Sequence, residues 1–87
     1  MSDRASDAVS RRLKRANGHL EKIIEMIEQG QPCAKVAQQL QAVENAIDSA
    51  KQLLIHDHIA HSLDAAAGTN AKVQAVTRNL KLMTKYL

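Results

Sequence analysis

Apolar residues recur at alternating steps of four and three along almost the whole of this chain, a spacing that leaves little but α-helix open to it. Val9, Leu13, Ala16, Leu20, Ile23 and Ile27 make one run. Cys33, Val36 or Ala37, Leu40, Val43, Ile47, Ala50 and Leu54 make a second, and Val73, Val76, Leu80, Met83 and Leu87 a third. This is the heptad seam of helices packing at shallow angles. The strand-like alternation of apolar and polar residues is nowhere sustained. Breaks fall at Gln29-Gly30-Gln31-Pro32, a helix stop with a proline suited to the next first turn, and at Gly68-Thr69-Asn70, a glycine followed by candidate N-caps. The spacing predicts an all-α protomer of three helices, over about 4–29, 32–67 and 70–86, forming one domain over 1–87 with a long central helix.

Size then argues for company. With 87 residues and a single aromatic, Tyr86, the chain has only a small aliphatic core, and one this short buries about 60% of its unfolded surface. Oligomerisation is the usual remedy where disulfides are excluded, and Cys33 is the only cysteine. A lone thiol fits a reducing compartment. No run approaches the roughly 18 apolar residues of a membrane span, and the opening MSDRASDAVSRR lacks the apolar stretch of a signal peptide. The expectation is a cytoplasmic protein with no membrane partner.

The middle seam does not stop at Leu54: the same stepping lands on His58, His61 and Ala65. Singly, a cysteine on an apolar face is a small hydrophobe and a histidine near a helix end meets solvent. One soft ligand and two imidazoles on a single stripe point instead to a site. Cys33 and His58 are 25 residues apart, about 37 Å along one helix, so one chain cannot join them. A second copy running antiparallel would bring Cys33 of one chain to His58 of the other, with two equal sites about a dyad between Asn45 and Ala46. Ala42, Ala46, Ser49 and Ala50 cluster there and permit close approach. Cys33 falls in the first turn of its helix, just after Pro32. Thiolate with imidazole suits Cu(I), Zn(II), Ni(II) or Co(II). Nucleophilic catalysis needs a third, orienting group that is not evident, so no enzyme is expected.

Positive charge is uneven. Arg4 precedes a tight cluster of Arg11, Arg12, Lys14 and Arg15, while residues 69–87 hold Lys72, Arg78, Lys81 and Lys85 with no acid. Such a cluster serves either as a solvated face or as a footprint for phosphates. Base stacking on RNA is disfavoured without aromatic platforms. The segments are also too long for a helix-turn-helix pair. A DNA surface would therefore be assembled from helices of several chains.

The runs RRLKRANGHLEKIIEMIEQGQPC and QQLQAVENAIDSAKQLLIHDHIAHSL resemble the copper-sensitive operon repressor (CsoR) family, with its nickel/cobalt-sensing (RcnR-like) and formaldehyde-sensing (FrmR-like) branches. The resemblance covers about residues 9–87 and implies a helical dimer of dimers: antiparallel dimers, each a four-helix bundle, paired into a homotetramer. It implies a repressor released from operator DNA by an effector at an intersubunit site. By position, Cys33 matches the family's thiol and His58 the partner chain's imidazole. Four residues beyond, copper sensors place a second cysteine and nickel/cobalt sensors a histidine, where this chain has Ser62. The formaldehyde branch carries a hydroxyl residue there and bridges the thiol to the N-terminal amine, which would be that of Ser2 once Met1 is removed. His61 is the alternative third metal ligand. Arg12 matches a helix-one arginine implicated in operator binding. The family's helix-two arginine corresponds to Ser49, which passes its role to Lys51, and Arg11, Lys14 and Arg15 stand as phosphate contacts. The alternative reading is a helical metal-binding or scaffolding module without DNA binding.

Overall fold

The computed structural model describes residues 3–66 and 70–87, apart from the side chains of 65 and 66. Three helices account for nearly all of it: α1 (Asp3–Glu28), α2 (Cys33–Ala66) and α3 (Asn70–Met83), the last ending in a short 3₁₀ turn at Thr84–Tyr86. No strand occurs among the described residues. The all-α, three-helix protomer with a long central helix is thus what the spacing predicts. The break at Gly68-Thr69, the Ala65 side chain and Ser2 lie outside the described residues.

The turn between α1 and α2 fixes the arrangement. Gly30 takes a φ of 71°, a left-handed conformation open to glycine at little cost. Gln31 N–H donates to the Met26 carbonyl at 3.0 Å and Gly30 N–H to the Ile27 carbonyl at 3.1 Å, the paired bonds of a Schellman cap. The Pro32 carbonyl then accepts from the Lys35 and Val36 amides at 3.0 and 3.1 Å. Pro32 therefore precedes the helix as its cap residue, and Cys33 is the first helical position. α2 runs back antiparallel to α1 in a register marked by two side-chain bonds, Arg12 to Ser49 and His19 to Gln39.

Packing divides the predicted seam into two ladders of seven-residue step. In α1, Val9, Ala16 and Ile23 are buried, whereas Leu13, Leu20 and Ile27 are exposed, Ile27 at 57%. In α2, Val43 and Ala50 are buried and Val36 half-buried, whereas Cys33, Leu40 and Ile47 are exposed. One ladder of each helix faces the other helix, and its largest members contribute roughly 1.5–3 kcal/mol apiece when fully buried. The second ladder lies open. The seam expected at Leu54 also shifts: Leu54 is only half-buried, and the neighbouring Ile55 is 1% exposed. The α1–α2 register brings Ala5, itself buried, to the level of Ile55, and α3 packs over the same part of α2.

α3 buries none of its own residues. The protomer measures 59 × 24 × 13 Å, barely more than one helix diameter thick. A single layer of helices cannot enclose a core, since domains need two packed layers. Leu13, Leu20, Ile24, Ile27, Leu40 and Ile47 are left uncovered along one side.

Candidate functional site

α2 carries both ends of the predicted effector site and is unbroken from Cys33 to Ala66. Cys33 is exposed at its first turn. His58 is half-buried near the other end, where its Nε2–H donates to Asn79 Oδ1 of α3 at 2.5 Å. That bond leaves Nδ1 as the free donor atom of the ring, and an outer hydrogen bond of this kind orients an imidazole for a metal. Ser62, one turn beyond His58, is half-buried, and His61 is exposed. The structure brings His58, His61 and Ser62 to one end of α2 and leaves Cys33 at the other. Among the described residues, no three His, Cys, Asp or Glu side chains of one chain are placed to hold a metal ion.

Asn79 escapes a reading of the sequence alone, which attends to Arg78 and its charge. Its one trace is positional: it stands three residues beyond Val76 and four before Met83, at the edge of the α3 seam. A polar residue there faces the neighbouring helix.

The basic cluster resolves into a cleft and a stripe. Arg12, Arg15, Ala16 and His19 of α1, with Ala46 and Ser49 of α2, line an open cleft of about 400 Å³. Arg12 Nη1 donates to Ser49 Oγ at 3.0 Å, and His19 Nε2–H donates to Gln39 Oε1 at 2.7 Å. Ser49 thus holds the arginine in place instead of supplying a second one. Arg4, Arg11, Arg15 and Lys22 are all exposed. Their steps of seven, four and seven align them within about 40° on the outer side of α1. Lys22 and His19 belong to this surface but fall outside the tight cluster that the sequence displays.

Lys51 is not brought to the cleft. Two residues beyond Ser49, it points to the opposite side of α2, about 200° around the helix. There it pairs with Asp48 at 3.3 Å and shares a hollow with Glu44, Asn45 and Ile47. Lys51 therefore stands apart from this cleft, and the residue at that level facing the α1 cations is Ser49. Lys14 is exposed, displaced from the Arg4–Lys22 stripe by about a quarter turn.

Comparison with known proteins bears on the family and the fold. A family profile described as metal-sensitive transcriptional repressor matches residues 5–85. The copper-sensing transcriptional repressor CsoR of Mycobacterium ulcerans is 39% identical over 59 residues, 68% of this chain and 50% of that protein. The chain thus spans about half the length of that mycobacterial relative. The copper-sensing repressor CsoR of Bacillus subtilis is 28% identical over 85 residues, covering 98% of this chain and 84% of its own. Among solved structures, the nickel-responsive transcriptional regulator InrS superposes with a TM-score of 0.83 at 27% identity, over 93% of this chain and 91% of that one. These relatives are regulators and not enzymes. No helix among the described residues is long and apolar enough to cross a membrane. The chain belongs to the family of metal-sensitive transcriptional repressors.

Proposed function

We propose that this protein is a repressor that binds operator DNA through the cationic side of its α1–α2 hairpins and is released by an effector held between Cys33 of one protomer and His58 of its partner. The observation that carries this reading is the open ladder of α2. Cys33, Leu40 and Ile47 lie exposed in seven-residue steps, on an unbroken helix that also carries His58. An antiparallel copy covers the leucine and isoleucine and delivers each cysteine to the other chain's histidine in one movement. Two such dimers would make the tetramer, a cytoplasmic assembly acting on DNA.

The effector is a transition metal ion, with Cu(I), Ni(II), Co(II) and Zn(II) as candidates, or formaldehyde. Relatives respond to copper and to nickel, and the donor set of thiolate and imidazole Nδ1 favours such ions over hard cations. His61 is the nearest candidate for a third donor. Ser62, a hydroxyl where a soft third ligand would stand, favours formaldehyde, captured by Cys33 and an amine such as that of Ser2. Effector binding biases the assembly against DNA by a coupling of about 1–3 kcal/mol, a 5- to 150-fold change in affinity.

The test is anaerobic fluorescence anisotropy on duplex DNA from upstream of the protein's own gene, with each metal ion or formaldehyde added in turn. Tight binding released by one effector, and a Cys33→Ala variant that stays bound, is the expected result. Binding no tighter than to random DNA would instead favour a metal-binding or scaffolding module.

A further inference from the structure

Gly18 sits near the middle of α1, exposed to solvent, and a Cβ built on it meets nothing within 4 Å. Glycine is the least helix-favouring residue after proline, so its presence in a 26-residue helix weakens that helix. Nothing among the described residues explains it: they show no close helix crossing, no left-handed backbone at this position and no neighbour that a side chain would strike. Whatever requires a bare backbone at Gly18 therefore comes from outside the protomer.

The charges around it indicate what comes. Arg11, Lys14 and Arg15 lie within two turns on its N-terminal side and Lys22 one turn beyond, with Glu21 and Glu25 marking the edge of the patch. Arg15 and Lys22 span about 10 Å along the axis with Gly18 between them. Gly18 also walls a hollow with His19, Lys22, Met26 and Gln39, adjoining the Arg12–Ser49 cleft. We infer that Gly18 is the point at which a phosphodiester backbone crosses α1. Its missing side chain would let a phosphate settle onto the helix between Arg15 and Lys22, each cation taking one side.

This inference rests on the DNA-binding reading, and two variants separate their failures. Gly18→Ala and Gly18→Leu each replace glycine with a better helix former, so thermal melting should move upward or stay level. Affinity for duplex DNA at fixed salt should fall, by about tenfold for leucine and by less for alanine. Sedimentation should match wild type. Variants that bind DNA as tightly as wild type would overturn the inference while leaving the repressor reading intact. A loss of affinity accompanied by a changed assembly would assign Gly18 to contact between copies and overturn it as well. Wild-type protein without DNA affinity would bring down both.

Discussion

One side of the α1–α2 hairpin is aliphatic and open along Leu13, Leu20, Ile27, Leu40 and Ile47, and the other is cationic along Arg12 and Arg15, with His19, Ser49 and Gln39 beside them. Both sides are exposed in the protomer, yet the physics of their exposure differs. The cationic side is solvated, and its internal restraints are the Arg12–Ser49 and His19–Gln39 bonds. The aliphatic side has no such means of meeting water, since apolar area left uncovered forfeits roughly 25 cal/mol per Å². A charged face can wait for a partner, whereas an aliphatic face on a slab one helix thick needs one in order to fold well. On the proposed reading the two sides take different partners: another copy of the chain on one, a polyanion on the other.

That comparison breaks most completely at Ile47. Ile47→Asp puts a charge at the level of the proposed dyad, where an unpaired buried charge costs several kcal/mol. Sedimentation should then show protomers at concentrations where wild type is associated, with effector binding lost as well. Ile23→Ala tests the closed ladder, and truncating a buried isoleucine costs about 2–5 kcal/mol. Circular dichroism should report a large fall in melting temperature, in contrast to Ile27→Ala, which is exposed in the protomer and should act through assembly.

Smaller effects sharpen the two sites. Asn79→Ala frees His58 from its hydrogen bond and should weaken metal affinity by about 10- to 100-fold without changing the oligomer. Competition with a chelator of known affinity measures this. On the cationic side, Arg12→Ala should lower the slope of log affinity against log salt by about 0.9. Lys51→Ala, on the opposite side of α2 and paired with Asp48, should leave that slope unchanged. Ser49→Ala removes one exposed hydrogen bond, worth less than about 1 kcal/mol, and should produce the smallest loss of the series.

The helices and their turn were legible because their signals are local: four-three spacing, Gly30 and Pro32. Periodicity alone does not tell which half of a seam a protomer closes by itself, because both ladders repeat every seven residues. Val9, Ala16 and Ile23 look the same on paper as Leu13, Leu20 and Ile27, and only the fold separates them. Ile55, 1% exposed, was hidden for a related reason, since it lies off the four-three stripe of its own helix. Arg12 could be singled out by charge, but Ser49 beside it, Gln39 beside His19 and Asn79 beside His58 depend on contacts between distant parts of the chain. Lys51 lies two residues beyond Ser49, more than half a turn around α2, so nearness along the chain does not bring its charge to the Arg12 cleft of the same protomer.

The central claim is that Cys33 of one protomer meets His58 of another, and an introduced disulfide tests it without reference to any effector. In His58→Cys, the two cysteines of one chain stand about 37 Å apart on α2, and a disulfide requires Cα atoms about 4.4–6.8 Å apart. Mild oxidation of dilute protein should therefore produce a covalent dimer from His58→Cys. None should form from wild type or from the double variant Cys33→Ala/His58→Cys, each of which has a single cysteine. A His58→Cys protein that stays monomeric on a denaturing gel, or a wild type that links as readily through Cys33 alone, would contradict the antiparallel site.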